Sequence, residues 1–298
     1  MKDAALLAGL SPVRLLDQPV AIAMAYGLDR LETDSLAFVL DVGSSTRAAL
    51  LHITNTDSKI VASARNVGGG AISKPLLDYA REAFRLAIND DIDDVQRMVL
   101  EDQVEQAKTK LSFEDLAVIA LPIHDAPWFL VPVTAAELNT RTGELVEDIV
   151  NGTIEQVLRA AGVSIHAIDH AILAGGSSYI PAIRDRFARA FPSIIPLSTA
   201  ERYPDDVVVH GASLFARRLA LGMVPEESKI YVGNATPMRF GIEIAGGLFS
   251  TIIPRNSPLP ARMTRRLTIP GRSIRVFTGA AEYTNATEFI GSVVLPPK

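Results

Sequence analysis

Two spacings of apolar residues compete along this chain, and the switches between them lay out its elements. Apolar runs over Leu36 to Val42 and Arg47 to Ile53 predict two strands joined by the small-residue turn Gly43-Ser44-Ser45-Thr46. Ahead of them the pattern predicts a helix over Asp3 to Gly9, a strand over Val13 to Leu16 and a helix over Val20 to Gly27. Pro19 suits the start of that last helix and Gly27 its end. Helical spacing returns over Leu76 to Ile88 and Val95 to Leu111. Leu116 to Leu121 and Trp128 to Val133 then predict a strand pair around a turn containing Pro122 and Pro127. Ala135 to Ala161 has the spacing of one long amphipathic helix bent near Gly152. His170 to Ala174 has the texture of a short buried strand ending at Gly175-Gly176, and Ile180 to Ala190 and Asp205 to Leu221 follow as helices. Strands and helices alternating in this order indicate an α/β domain.

After Gly222 the texture changes. Polar residues surround the triplet Ile230-Tyr231-Val232, as in a linker, and from Met238 onward helical spacing is lost. Short runs at Arg239 to Ile244, Leu248 to Ile253, Arg262 to Thr268, Ser273 to Thr278 and Phe289 to Leu295, broken by Gly, Pro and Asn, predict an antiparallel β-domain.

Composition narrows the function class. The 298 residues are 48% apolar and 21% charged, the balance of a globular protein with room for one large domain or two modest ones. The net charge of −5 gives a nucleic-acid partner no general electrostatic support. Six arginines between Arg255 and Arg275 are the local exception. They form either the solvated face of an alternating sheet or a preference for acidic segments of a bound peptide. The absence of cysteine excludes disulfides, thiolate metal sites and a cysteine nucleophile. No stretch reaches the apolar length of a membrane span, and the N-terminus lacks the long apolar run of a secretory signal, so a cytoplasmic location is the default expectation.

Three small-residue turns are candidates for close backbone approach to an anion: Asp41-Val42-Gly43-Ser44-Ser45-Thr46, Gly68-Gly69-Gly70 and Gly175-Gly176-Ser177-Ser178. The first is equally well explained as a hairpin turn. Glu105, Lys108 and Ser112 fall on one helix face, either as a solvated ion pair or as a polar clamp for a sugar and base. His166 and His170 have i,i+4 spacing but straddle a loop, which is poor support for a metal site.

Taken in order, these segments resemble the heat-shock protein 70 family, the DnaK-type molecular chaperones. DAALLAGLSPVRLLDQPVAIAMAYGLD resembles the entry to the second lobe of its actin-like ATPase fold, and LAFVLDVGSSTRAALLHI its second phosphate loop. VEQAKTKLS resembles the adenosine-contacting helix, and AILAGGSSYIPAIRDRF the second adenosine motif. YPDDVVVHGASLFARRLA resembles the helix after that motif, and NATPMRFGIEIAGGLFSTIIPRNSPLPARMT the first strands of the substrate-binding domain. The resemblance implies a remnant of ATPase lobe I over 1–35, lobe II over 36–222, a linker over 223–235 and a partial β-sandwich substrate-binding domain over 236–298.

It further implies ATP or ADP with Mg²⁺ as cofactors. Asp41 (holding Mg²⁺ through water), Gly43, Ser44, Ser45 and Thr46 would lie at the phosphates, with Gly68 and Gly69 on the same side. Glu105, Lys108 and Ser112 would meet ribose and adenine, Gly175, Gly176 and Ser177 would close over the adenosine, and Asp205 would lie nearby. Ile242, Ala245, Leu248, Leu267 and Ile274 would line a groove for extended apolar peptides of unfolded clients, although a sandwich core would want the same alternation. J-domain and nucleotide-exchange co-chaperones are the implied partners.

The departures from the pattern bear on activity. Gln18 stands where the family has a glutamate, Ser44 and Ser45 where it has glycines, and Ala48 where it has a second aspartate. Thr109 and Tyr179 replace two arginines that flank adenine, and Tyr179 could stack on a base in compensation. The first phosphate loop and catalytic lysine have no counterpart, so the alternative function is an inert interaction module. With those groups missing from a reaction that depends on positioning and charge stabilisation, ATP turnover by this chain alone is expected at background. A phosphate-release assay on the purified chain checks this, and multiple turnovers above the protein-free control would overturn it.

Overall fold

In this computed structural model the described residues are 2–9, 15–31, 33–54, 58–123, 126–192, 203–223, 236, 238–255, 257, 261–266, 273–279 and 281–294. Helix α1 (Lys2–Leu7) is followed by α2 (Gln18–Ala25), β1 (Ser35–Val42), β2 (Ser45–Ile53) and β3 (Ser58–Val67). Next come α3 (Gly69–Ile88), α4 (Asp94–Lys110), the pair β4 (Leu116–Ile123) and β5 (Ala126–Thr134), α5 (Ala135–Glu147) and α6 (Thr153–Ala161). Strand β6 (His170–Ala174), α7 (Pro181–Ala190) and α8 (Val207–Ala220) complete the α/β part. The C-terminal part holds β7 (Arg239–Ile244), β8 (Leu248–Ile253), β9 (Ser273–Gly279) and β10 (Glu288–Val294).

The central sheet runs β3-β2-β1-β6, antiparallel except where β1 pairs with β6 in parallel. Strand β1 is apolar from Leu36 through Leu40 and again at Val42 because both faces of the sheet are covered. Phe38, Leu40 and Val42 join the larger core with α3, α4, the β4–β5 pair, α6 and α7, whereas Ala37 and Val39 join a second core with α2 and α8. Helix α2 is buried from Val20 through Ala25, the state of a helix with no polar face. Pro19 lies in its first turn, and Gly27 follows at φ 76, the left-handed conformation that ends a helix.

The long helix expected from Ala135 is interrupted by a π turn at Asp148–Gly152, an inserted residue at the place where a bend was expected. Asn66 in β3 satisfies that turn, its amide donating to the Asp148 carbonyl at 3.2 Å, Asp148 Oδ2 at 3.0 Å and Thr153 Oγ1 at 3.1 Å.

Other expectations need correction. Pro122 and Pro127 lie inside β4 and β5, because that pairing continues to Ile123 opposite Ala126. Leu15 and Leu16 are not in a strand, and Val13 and Arg14 lie outside the described residues. Residues 261–266 are irregular where a strand over Arg262 to Thr268 was expected; Leu267 and Thr268 lie outside the described residues. Strand β3 was not anticipated. The expected linker triplet Ile230-Tyr231-Val232 also lies outside the described residues. Among the described residues no helix is long and apolar enough to cross a membrane.

The C-terminal strands form one antiparallel sheet, β10-β9-β7-β8. Its register sets Ser250 opposite Ile242, Leu248 opposite Ile244 and Val276 opposite Ile242. Ile242, Leu248 and Ile274 therefore share one face.

The seam between α2 and α8 depends on Gly211, where an added Cβ would run into the Ala21 carbonyl. Alanine would gain about 1 kcal/mol of helix propensity, but overpacking against rigid backbone costs about 1–3 kcal/mol. Gly211→Ala is therefore expected to lower the unfolding free energy by up to about 2 kcal/mol, read from the urea midpoint at unchanged m-value.

Candidate functional site

A cavity of about 750 Å³ opens where β1 and the parallel strand β6 end. The carboxyl ends of parallel strands are where α/β sheets leave a crevice between diverging connections. Gly43 and Ser44 line it from the β1–β2 turn, Gly69 and Gly70 from the start of α3, and Glu105, Lys108, Thr109, Ser112 and Phe113 from α4 and its end. Gly176, Ser177, Tyr179 and Ile180 contribute from the turn after β6, and Asp205 from just before α8. Segments far apart in sequence thus converge on one concavity, including both sides of the supposed polar clamp.

Lys108 organises the floor. It is 5% exposed, and its ammonium donates to the Gly69 carbonyl at 3.0 Å, Ser73 Oγ at 2.9 Å and Glu105 Oε2 at 2.7 Å. An ammonium has three hydrogens, and all three are used. Ser73 also donates to Glu105 Oε2 at 2.8 Å. Burial pushes the Glu105 carboxyl up, but the hydrogen bonds from Lys108 and Ser73 and the Lys108 charge outweigh it and hold the group below the usual glutamate value. Ser112 is buried beside them, its hydroxyl donating to the Lys108 carbonyl at 3.3 Å.

The expected phosphate side divides in two. Gly69 N–H donates to the Gly43 carbonyl at 2.8 Å, and a Cβ on Gly68 would come within 2.8 Å of the Ser45 Cα, so the two glycine turns touch backbone to backbone. The Gly68–Gly70 segment is not a free turn but the cap and first residues of α3. Asp41 and Thr46, by contrast, leave opposite faces of the sheet, because Thr46 pairs with Val42 and Asp41 with Arg47. Thr46 is fully buried and donates to the Val67 carbonyl at 2.6 Å. Asp41 faces α2, accepting a hydrogen bond from Gln18 Nε2, and Gln18 Oε1 accepts from Arg47 at 2.7 Å. Ser45 is exposed at the start of β2. Asp41, Ser45, Thr46, Gly68 and Gly175 do not line the cavity.

These residues do not fit a directly held Mg²⁺. One Asp41 oxygen is committed to Gln18, and Gly175, at φ 87, packs so closely that a Cβ there would strike the other. Among the described residues no three acidic or imidazole groups converge on a point, and Mg²⁺ beside a single carboxylate keeps most of its own waters.

At the rim, Tyr179 donates to Asp205 Oδ1 at 3.1 Å and packs against Phe113 with ring centroids 5.3 Å apart. Partial burial, the hydrogen bond to Asp205 and nearby acidic charge push its phenol up to about 12, so it stays a neutral donor. Phe113 and Ser73 were missed in the sequence. Phe113 continues the stripe Glu105, Thr109, Phe113 at four-residue spacing, and that spacing could have found it. Ser73 carried no such signal, since its role depends on the approach of α3 to α4.

Of the candidate groove residues, Ile242 is buried and Ile274 is half-buried, while Leu248 is exposed on their face. Ala245 sits in the short turn between β7 and β8, and Leu267 lies outside the described residues. His166 is exposed, and among the described residues no cluster of possible metal ligands includes it.

The family description Hsp70 protein matches residues 1–296. The chain belongs to the Hsp70 family. It is 33% identical over 99% of its length to proteins named Chaperone protein DnaK from Thermotoga neapolitana and Thermotoga maritima, and it covers 52% of each. A third protein of that name, from Thermosipho melanesiensis, is 31% identical over the same share of this chain and again 52% covered. This Hsp70-family chain thus spans about half the length of the curated relatives it matches. Mixed sheet, helices and separate antiparallel sheet agree with the family's α/β-plus-β organisation.

The carboxyl of Asp41 is pushed above its ordinary value of 3.8 by burial, which the Arg47 charge and the Gln18 hydrogen bond only partly offset. A carboxyl raised on folding destabilises the native state where it must ionise. That penalty disappears as pH falls below 3.8, where the unfolded chain binds the proton too. Asp41→Asn is accordingly expected to raise Tm at neutral pH, with the gain shrinking to nothing on acidification. A Tm series against pH for both proteins measures it.

Proposed function

We propose that this chain is an adenine-nucleotide-binding segment of an Hsp70-type chaperone, with lobe II of the ATPase fold over 36–222 and part of a peptide-binding sheet over 236–298. The observation that carries the proposal is the single cavity that gathers Glu105, Lys108 and Ser112 from α4 together with Gly176, Ser177 and Asp205. The two groups lie more than sixty positions apart in sequence and meet at this concavity. A polar clamp, an aromatic rim and small residues that admit close backbone approach suit a base and a ribose. On the C-terminal sheet, the common face of Ile242, Leu248 and Ile274 supports an extended apolar client, and co-chaperones of the J-domain and nucleotide-exchange kinds are the corresponding partners.

The alternative of binding without turnover is favoured by a specific contact. Gln18 stands in the place of an acid and occupies one oxygen of Asp41, which leaves one carboxylate fewer to act on water there.

Calorimetric titration with ATP is expected to show saturable binding to the chain. Tyr179→Ala, which alters only a rim side chain, should weaken it by about tenfold if base stacking is worth about 1–3 kcal/mol. Lys108→Ala should abolish it, with circular dichroism confirming the fold. A folded chain that binds no ATP would remove the proposal.

A further inference from the structure

Away from the cavity, the β4–β5 pair presents a surface that neither core uses. Its inner face joins the larger core through Ile119, Leu121, Val131 and Val133. Strand alternation sends the residues between them outward, where a half-buried antiparallel pair ordinarily turns polar. Here it does not. Leu116, Val118 and Ala120 point outward from β4, and Trp128, Leu130 and Pro132 from β5, with Val118 opposite Pro132 and Ala120 opposite Leu130. Val118, Leu116, Trp128 and Leu130 are 46%, 50%, 57% and 59% exposed, and none of the four belongs to either core. At those exposures the face offers about 500 Å² of apolar surface, against about 300–600 Å² for the largest patch on a typical monomer, which is often functional.

The edges of the pair do not invite a partner strand. Ala120 N–H on β4 donates to Gln103 Oε1 at 3.3 Å, and the Pro122 carbonyl accepts from Gln96 Nε2 at 2.8 Å, so α4 caps that edge. On β5, Pro132 has no N–H to offer, a feature that resists strand addition. A partner therefore meets the face and packs by side chains, as one sheet packs on another about 10 Å away.

Charge decides which partner fits. The outward positions from Leu116 to Ala120 and from Trp128 to Thr134 hold no ionisable side chain. A charged partner would lose its hydration there without return. A second copy brings the same uncharged surface, so two-fold pairing sets apolar rows on apolar rows with no like charges opposed. The area agrees. Covering the face on both copies removes about 1,000 Å² from water, the size at which specific interfaces begin and well short of a permanent dimer.

We infer that this chain self-associates reversibly through the outer face of β4 and β5, in a two-fold face-to-face pairing. None of the six outward residues lines the cavity, so the pairing requires no nucleotide. Trp128, the only tryptophan of the chain, lies in the interface and reports on it.

Sedimentation of the whole chain across a concentration series, with Trp128 emission recorded in parallel, tests this. The mass is expected to rise from monomer to dimer in the micromolar range. Emission should move to shorter wavelength with the same midpoint, as the indole leaves water. Leu130→Glu sets like charges on the two faces and should raise the dissociation constant at least about tenfold. Val118→Lys should do the same with the opposite charge, and circular dichroism checks that both variants fold. A mass that stays monomeric at about 100 µM would overturn the inference. So would a dimer that neither substitution weakens, which would assign association to another surface. A shift of Trp128 emission on adding an extended apolar peptide to a chain that stays monomeric would overturn it too, and would give the face to a client segment.

Discussion

A buried ammonium needs three acceptors, and meeting that need for Lys108 dictates where α3, α4 and the β1–β2 turn lie relative to one another. Its partners are a backbone carbonyl at the first residue of α3, a hydroxyl one turn further along and a carboxylate on its own helix. Leaving such a charge unpaired costs about 3–5 kcal/mol, so the three contacts form together or the floor of the cavity does not form. Gly69 passes the constraint onward, because its N–H is bonded to the Gly43 carbonyl at the end of β1. A single cation thereby links the helical wall of the cavity to the sheet.

The sheet imposes a second constraint, which separates residues adjacent in sequence. A strand sends successive side chains to opposite faces, so Asp41 and Thr46 leave opposite faces of the sheet even though only Gly43 and Ser44 join their strands. Asp41 belongs with α2, where Gln18 and Arg47 complete a polar chain next to an apolar core. Thr46 instead secures the end of β3 through the Val67 carbonyl. Residues that resemble a phosphate loop are here divided between a cavity rim, formed by Gly43 and Ser44, and two structural contacts behind it.

Strands β1, β2 and β6 were legible because burial on both faces demands unbroken apolar runs, and α4 because its polar stripe has helical spacing. Strand β3 was not, since Ala62 and Ala64 are the side chains it sends into the core, and alanine gives little contrast against Ser63 and Arg65. Spacing placed the clamp residues of α4 on one face, and the family resemblance gave them their expected role. Ser73 could not be found that way, because it joins Lys108 and Glu105 only through tertiary packing. The position of Thr46 away from the cavity has a related cause: strand pairing, which sets the face a side chain takes, is invisible until the register is known. Peptide-groove and core readings of Ile242 remained alike in sequence because both ask for an apolar residue at the same parity.

Helices α2 and α8 pack against each other through Gly211, and the Arg218–Asp29 ion pair beside them joins residues 189 positions apart. During synthesis, then, the most apolar helix of the chain leaves the ribosome long before the surface that covers it. At about 5–20 residues per second the interval is tens of seconds or less, yet very long beside the microseconds of chain collapse. A nascent chain of this kind presents α2 to its surroundings as a sticky segment until α8 arrives. A protein from a chaperone family would thus be, in its own infancy, a natural client for one.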